Sequence, residues 1–416
     1  MQVQGTLQLP GDKSISHRAI MLSAVADGVS YIRNLNDGAD LQSTISILRD
    51  CGALIEQNDD EIIINGKELH SPSKELDCGN SGTTTRLIAG LLSSQKLSFT
   101  LIGDESLSKR PMNRIITPLT AMGCKIFSNN GLLPLSIDAS DGISAIDFDM
   151  KVASAQVKSS ILFSALGGNN VSSVNETIPT RNHSEIMLKN MGASIEREGD
   201  KIIVHPLKSK LKSIDISVPS DPSSAAFFAA LAVINNNSNL KLTNVLLNKS
   251  RIGFVEVLNK MNCSISKSNE SVHNGEKIGD LTISSSKLKA IEVESETIPS
   301  IIDEVPILAV VAAFANGTTV FKNVDELKYK ECDRLRAIIH NLEAFGIKAY
   351  EKNNNLFIEG GKVERMPKIT TFDDHRIAMA FTILSLTSFE KYELDNKQCV
   401  DISLPKFFNY LSEITK

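Results

Sequence analysis

LRDCGALIEQ (residues 48–57) joins a helical pattern to an extended one. The helix-like run stops at Gly52, a small residue follows, and Ile55 begins a strand-like stretch. The same phrase returns as LTAMGCKIFS (119–128), LKNMGASIER (188–197), LNKMNCSISK (258–267) and LEAFGIKAYE (342–351). Gly52, Gly123 and Gly192 stand about seventy residues apart, and Asn262 holds the equivalent place in the fourth copy. Gly or Asn at such a position is what a left-handed helix C-cap requires. The chain therefore reads as an internal repeat.

Each copy also carries a first helix that is apolar nearly all round: RLIAGLLS, SSILFSALG, SSAAFFAALAVI, VPILAVVAAFA and RIAMAFTILSL. Helices without a polar face are buried ones. With the segment that starts at Ser14 they make six, which predicts an α/β protein of six repeated units, three to a domain, each with a buried helix, a more amphipathic helix and several strands. Pro219 and Pro222 in VPSDPSSAA mark one joint and Pro10-Gly11 a second, so the first strand is expected to belong with the second half. The short tracts INNNSN and KNNN read as surface turns.

At 416 residues the chain is too long for one core. A net charge of −5 argues against nucleic acid or an acidic membrane as partner, so any anion site must be built locally. The cysteines (Cys51, Cys78, Cys124, Cys263, Cys332, Cys399) are widely spaced, with no C-x-x-C pair and no histidine at zinc-ligand spacing, which reads as reduced thiols of a cytosolic protein and predicts no metal. No apolar run is long enough to span a bilayer, and the amino terminus does not resemble a signal or transit peptide.

The helix starts carry the chemistry. In GDKSISHRA (11–19), Ser14 is placed as a cap with Lys13 and Arg18 beside it and His17 as support. Free backbone N–H groups and the helix dipole make such a start an anion site, although a solvated basic turn would be spelled alike. CGNSGTTTR (78–86) opens the second unit with small residues around Gly82, SAQVKSS (154–160) the third, IDEVP (302–306) the fifth and FDDHRIAMA (372–380) the sixth. KRPMNR contributes Arg110, and YKECDRLR contributes Lys330, Glu331 and Arg334. If these helix ends aim at one cleft, cations there surround two or three carboxylates. Arg forks and helix ends grip a ligand with two anionic groups, and carboxylates beside lysines exchange protons with it. In isolation, Arg110 and Arg334 read more readily as partners of surface carboxylates than as ligand groups, Asp303 reads equally as a helix-end charge, and His183 as a residue that orders a loop. Neither a P-loop nor a G-x-G-x-x-G signature is present.

PGDKSISHRA, GNSGTTTR, KRPM, SAQVKS, TRNHSE, IDEVP, YKECDR and DDHRIAMA, in this order across almost the whole chain, closely resemble the EPSP synthase family, in its class II spelling. The resemblance implies a two-domain inside-out α/β barrel in which each domain is three βαβαββ repeats with the helices buried. It divides this chain into residues 13–219 and residues 1–12 with 220–416, with the active site in the interdomain cleft. It implies transfer of the enolpyruvyl group of phosphoenolpyruvate to the 5-hydroxyl of 3-phosphoshikimate through a tetrahedral intermediate, without cofactor or metal.

Carried onto this chain, the resemblance gives Lys13, Ser14, Arg18, Ser154, Gln156, Arg181, Asp303 and Lys330 to 3-phosphoshikimate. It gives Lys13, Gly82, Arg110, Gln156, Arg334, His375 and Arg376 to phosphoenolpyruvate. Asp303 takes the hydroxyl proton, and Glu331 with Lys13 protonates the methylene carbon. Attack on C2 of an enol ether needs acid and base together, hence two carboxylates in different protonation states. Ala155 and Arg181 depart from the enterobacterial spelling, and Ile402 stands where the family often has a lysine, with Lys406 too late to replace it. The resemblance further implies a cytoplasmic monomer inhibited by glyphosate, with room for the phosphonate at Gly82. Two other readings remain: the related transferase acting on UDP-N-acetylglucosamine, which opens with a Lys-Asn-Ala motif and carries a loop cysteine, and an inactive phospho-metabolite binding protein.

Overall fold

The computed structural model describes residues 1–58 and 61–415. Gly52, Gly123, Gly192 and Gly346 all have φ between 89° and 99°, and Asn262 has φ 72°. Each stands two residues after the last residue of a helix, and the next N–H turns back to that helix: Ala53 to Leu48 O at 2.9 Å, Cys124 to Leu119 O at 3.0 Å, Cys263 to Leu258 O at 3.0 Å. A side chain with a Cβ is strained there, and Asn is the residue that tolerates the conformation best.

The chain divides into two compact units, Lys13–Val218 and Met1–Asp12 with Pro219–Lys416. Pro219 thus falls with the second unit. The inner helices are α1 (Lys13–Ala24), α2 (Gly82–Ser94), α3 (Ala155–Ala165), α4 (Pro222–Ile234), α5 (Val305–Ala313) and α6 (His375–Phe389). All nine residues of α5 are buried, and so are residues 222–233 of α4. Burial of each Val, Ile or Leu contributes about 1.5–3 kcal/mol, which outweighs the weak helix propensity of β-branched residues. Where α2 meets α3, a Cβ on Gly90 would lie 2.1 Å from the carbonyl oxygen of Ser160, so only glycine allows the approach.

The strands wrap these helices in four-stranded sheets of one recurring order. In the second repeat, Leu76–Asp77 pairs parallel with Ser98–Ile102, which pairs antiparallel with Leu132–Asp138, which pairs antiparallel with Lys125–Asn129. The first repeat borrows its leading strand from the end of its unit, since Asp215–Ser217 runs parallel to Gly28–Arg33. The fourth takes its own from the amino terminus, with Gln4–Gln8 parallel to Asn239–Leu246. Among the described residues five sheets of this order form. The sixth copy is abbreviated among the described residues: a parallel bridge joins Ile369 to Leu394 around α6, and the helix Phe407–Ile414 stands in place of a hairpin. Phe407, Leu411 and Ile414 are buried, with Phe407 against Phe228 at 5.8 Å between ring centres.

The start of α1 differs from expectation. The helix begins at Lys13, so Ser14 lies in its first turn and does not cap it, and the Ser14 carbonyl accepts from Arg18 Nη1 at 2.8 Å. The preceding Asp12 is buried and pairs with the equally buried Arg251.

Candidate active site

In the unit 13–218 the helix starts form a set of donors. Ser154 caps α3, accepting from the Val157 N–H at 3.3 Å, and Ser81 caps α2, accepting from Thr84 N at 3.1 Å. These caps leave Gly82 and Gln156 in first turns, where backbone N–H groups are unsatisfied by the helix itself. Gln156 reaches α2, with Nε2 donating to Thr83 Oγ1 at 3.0 Å and Oε1 accepting from Arg86 Nη1 at 2.8 Å. Arg110 is buried and donates from Nη2 to Asn80 Oδ1 at 2.6 Å and to Ser106 Oγ at 3.1 Å. It therefore pairs with amides and hydroxyls, not with a surface carboxylate.

A Cβ placed on Gly82 would stand 2.6 Å from Arg86 Nη1 and 3.5 Å from Arg110 Nη1. Gly82, Arg86, Arg110 and Gln156 are thus one cluster, and the space at Gly82 is bounded by guanidinium groups.

Lys13 forms an ion pair with Asp40, in the first turn of the helix Ala39–Asp50. Arg18 is buried and donates from Nε to Ser184 Oγ and from Nη2 to Ser159 Oγ, both at 2.7 Å. His17 is buried with Nδ1 2.8 Å from Thr44 Oγ1, a structural contact. His183 begins the helix that carries Ser184, and Arg181 lies in the loop before it.

In the other unit the site is built on carboxylates. Arg334, 1% exposed, donates from Nε to Asp374 Oδ2 at 2.7 Å, from Nη2 to Glu331 Oε2 at 2.5 Å and from Nη1 to Asp303 Oδ1 at 3.4 Å. Lys330 Nζ donates to the same Asp303 oxygen at 3.4 Å. Arg376 Nη1 donates to the Asp303 carbonyl at 2.9 Å and lies 3.7 Å from Glu304. Asp374 caps α6 by accepting from Arg376 N at 2.8 Å, which seats the buried His375 between them. Burial alone would lower the Arg334 pKa, but the fields of Asp374, Glu331 and Asp303 override it and hold the guanidinium well above its ordinary value. Asp303 and Arg334 are therefore neither a lone helix-end charge nor a surface pair.

Three members of these clusters are given no role by the sequence, although Arg86 and Asp374 stand inside two of its motifs. Arg86 stands four residues after Gly82 on α2, a spacing that could have flagged it. Asp374 was visible beside His375, but its bond to Arg334 spans forty residues. Asp40 has no local signal.

The family model for EPSP synthase (3-phosphoshikimate 1-carboxyvinyltransferase) matches residues 1–411. The 3-phosphoshikimate 1-carboxyvinyltransferase of Clostridium tetani is 41% identical over 417 residues, 99% of this chain and 94% of the relative. That of Alkaliphilus metalliredigens is 43% identical over 420 residues, 100% of this chain and 98% of the relative. Among solved structures, EPSP synthase from Acinetobacter baumannii superposes with a TM-score of 0.88 at 37% identity, covering 99% of this chain and 96% of that one. The enolpyruvyl transferase NikO from Streptomyces tendae, 15% identical with a TM-score of 0.78 over 99% of this chain and 95% of its own, shares the fold.

Proposed function

Because this chain belongs to the EPSP synthase family and carries out that family's enolpyruvyl transfer in the shikimate pathway, we propose that its two units divide the work. The unit 13–218 holds 3-phosphoshikimate by Ser14, Arg18, Ser154, Gln156 and Arg181, and takes phosphoenolpyruvate at Gly82 and Arg110. The other unit supplies the acid and the base, with Arg334, His375 and Arg376 on the donor.

In the addition step, Asp303 takes the proton of the acceptor 5-hydroxyl as its oxygen bonds to C2 of phosphoenolpyruvate. Glu331, with Lys13, delivers a proton to C3. In the elimination step a C3 proton returns to Glu331 with Lys13, the C2–C3 double bond re-forms and phosphate leaves with the proton that Asp303 took up. Each proton transfer of this kind is worth about 10²–10⁴-fold in rate. The observation that supports this reading is the bonding of one buried guanidinium to both Asp303 and Glu331, which fixes their separation before any substrate arrives. The same reading makes glyphosate a competitor for phosphoenolpyruvate at Gly82, and the chain a cytoplasmic monomer.

Phosphate release from phosphoenolpyruvate tests it, run with 3-phosphoshikimate, with UDP-N-acetylglucosamine and with Asp303→Ala. Release with 3-phosphoshikimate alone, largely lost in the variant, is expected. Release that survives the substitution would remove Asp303 as the base, and release with the nucleotide sugar would overturn the acceptor.

A further inference from the structure

The unit 13–218 contains a buried charge network that the chemistry above does not use. Glu176, 1% exposed, follows the strand Ser172–Asn175, and Lys158, 0% exposed, lies on α3 two residues after Gln156. Lys158 Nζ donates to Glu176 Oε1 at 3.1 Å and forms ion pairs with Glu176 Oε2 at 3.0 Å and with Glu185 at 2.7 Å. Arg197 Nη1 donates to Glu176 Oε1 at 2.7 Å. The second carboxylate oxygen, Oε2, accepts from the Thr180 N–H at 3.2 Å and from Thr180 Oγ1 at 2.8 Å. Glu176 also donates its own N–H to Asp200 O at 2.9 Å.

Two cations and two carboxylates balance one another here, so no net charge is left for a ligand. Buried ion pairs are a poor source of stability, because desolvation cancels most of the attraction, but their bonds are directional and fix geometry. This network fixes one distance in particular. Glu176 closes the loop 176–180 through Thr180, the residue before Arg181, and Lys158 ties that loop to the first turn of α3, which Ser154 caps and which carries Gln156.

We infer that Lys158 and Glu176 are positioning residues of the acceptor's phosphate subsite: they hold Arg181 at a set offset from Ser154 and Gln156, so that the phosphate meets a formed cradle. The inference rests on the assignment of those three residues to 3-phosphoshikimate. An unanchored loop must be ordered at the expense of binding energy, so loss of the anchor weakens the acceptor selectively.

The test is steady-state kinetics of the full chain with Lys158→Met, Thr180→Val, Thr180→Ser and Arg181→Ala, each with its thermal midpoint. Lys158→Met is expected to raise KM for 3-phosphoshikimate roughly tenfold, and Thr180→Val roughly threefold. KM for phosphoenolpyruvate and kcat at saturating acceptor should stay within about twofold, since neither residue touches the reacting atoms. Thr180→Ser, which keeps the hydroxyl, should restore the wild-type KM. A lowered thermal midpoint with both KM values unchanged, or a parallel rise in both, would overturn the inference. Because Lys158→Met can fail to fold, the Thr180 pair decides on its own. Arg181→Ala separates the two levels: if it raises the acceptor KM while the Thr180 variants do not, only the positioning role falls, and if it leaves that KM unchanged the subsite assignment falls with it.

Discussion

The polar clusters of the two units are built from the same repeat yet carry opposite groups. At the starts of α2 and α3, Ser81 and Ser154 cap the helices, and the side chains around them are guanidinium, amide and hydroxyl groups. At the start of α6 the cap is a carboxylate, Asp374, bound with Glu331 and Asp303 to a single buried Arg334. A helix start with hydroxyl caps and nearby cations attracts an anion. One occupied by a carboxylate has met that need internally, and its neighbours are free to act as acid and base. On the proposed reading, the common scaffold serves as an anion cradle where hydroxyls cap the helix and as a proton-transfer site where a carboxylate does.

The largest effect should come from the carboxylates. Asp303→Asn keeps shape and most contacts but removes the base, and kcat should fall about a thousandfold, while the dissociation constant of 3-phosphoshikimate measured by calorimetry changes only a few-fold. Arg18→Met is the matched change in the cradle and should act on acceptor binding first. If Arg18→Met cut kcat as deeply as Asp303→Asn, the division of labour would be wrong.

Next comes stability. Arg334→Met leaves Asp303, Glu331 and Asp374 without their shared cation in a buried place, which costs about 3–5 kcal/mol, to be read from urea unfolding. Lys13→Met strips the partner from one buried carboxylate, Asp40, where Arg334→Met strips it from three, and should cost less. Equal losses would mean that the second half-site is no more tightly knit than the first.

Gly82→Ala sharpens the comparison within the cradle. The new methyl stands 2.6 Å from Arg86 Nη1, the far end of a flexible side chain that also holds Gln156. Arg86 should yield and crowd the ligand space, raising the glyphosate concentration for half inhibition roughly tenfold. Inhibition unchanged in Gly82→Ala would remove the steric role of Gly82.

Much of this was legible in the chain because it is local. The left-handed caps at Gly52, Gly123, Gly192 and Asn262 follow from backbone sterics, and the buried helices follow from their lack of a polar face. The cap of α1 was not legible: Ser14 is a good cap by type, but the helix begins one residue earlier, with Asp12 turned to Arg251. The short sixth copy was hidden as well, because its first helix is spelled like the others, and among the described residues the helix Phe407–Ile414 stands where the other copies have a hairpin. Among site residues, those within a motif were readable. The bonds of Lys13 to Asp40 and of Arg334 to Asp374 were not, since nothing local encodes a partner 27 or 40 residues away.

The smallest effect is the most direct probe of charge. Cys332 lies in the carboxylate half-site, with Sγ 3.6 Å from Asp374 Oδ2. Burial raises its pKa first, and Asp374 raises it further, while Arg334 pulls it down. Cys78, at the start of the cradle, is pushed up to about 12 chiefly by burial. Both thiols are protonated at pH 8, and only the thiolate is alkylated, so iodoacetamide should label both slowly in the native protein. Asp374→Asn keeps a helix cap but removes the charge, leaving Arg334 to favour the thiolate. Labelling of Cys332, followed by mass spectrometry, should then speed up several-fold, by the Coulomb term of one nearby charge in a partly screened site, while Cys78 stays unchanged. A rate at Cys332 that did not move would show that burial alone governs this half-site, and the electrostatic contrast between the two would not reach beyond the bonds of Arg334 itself.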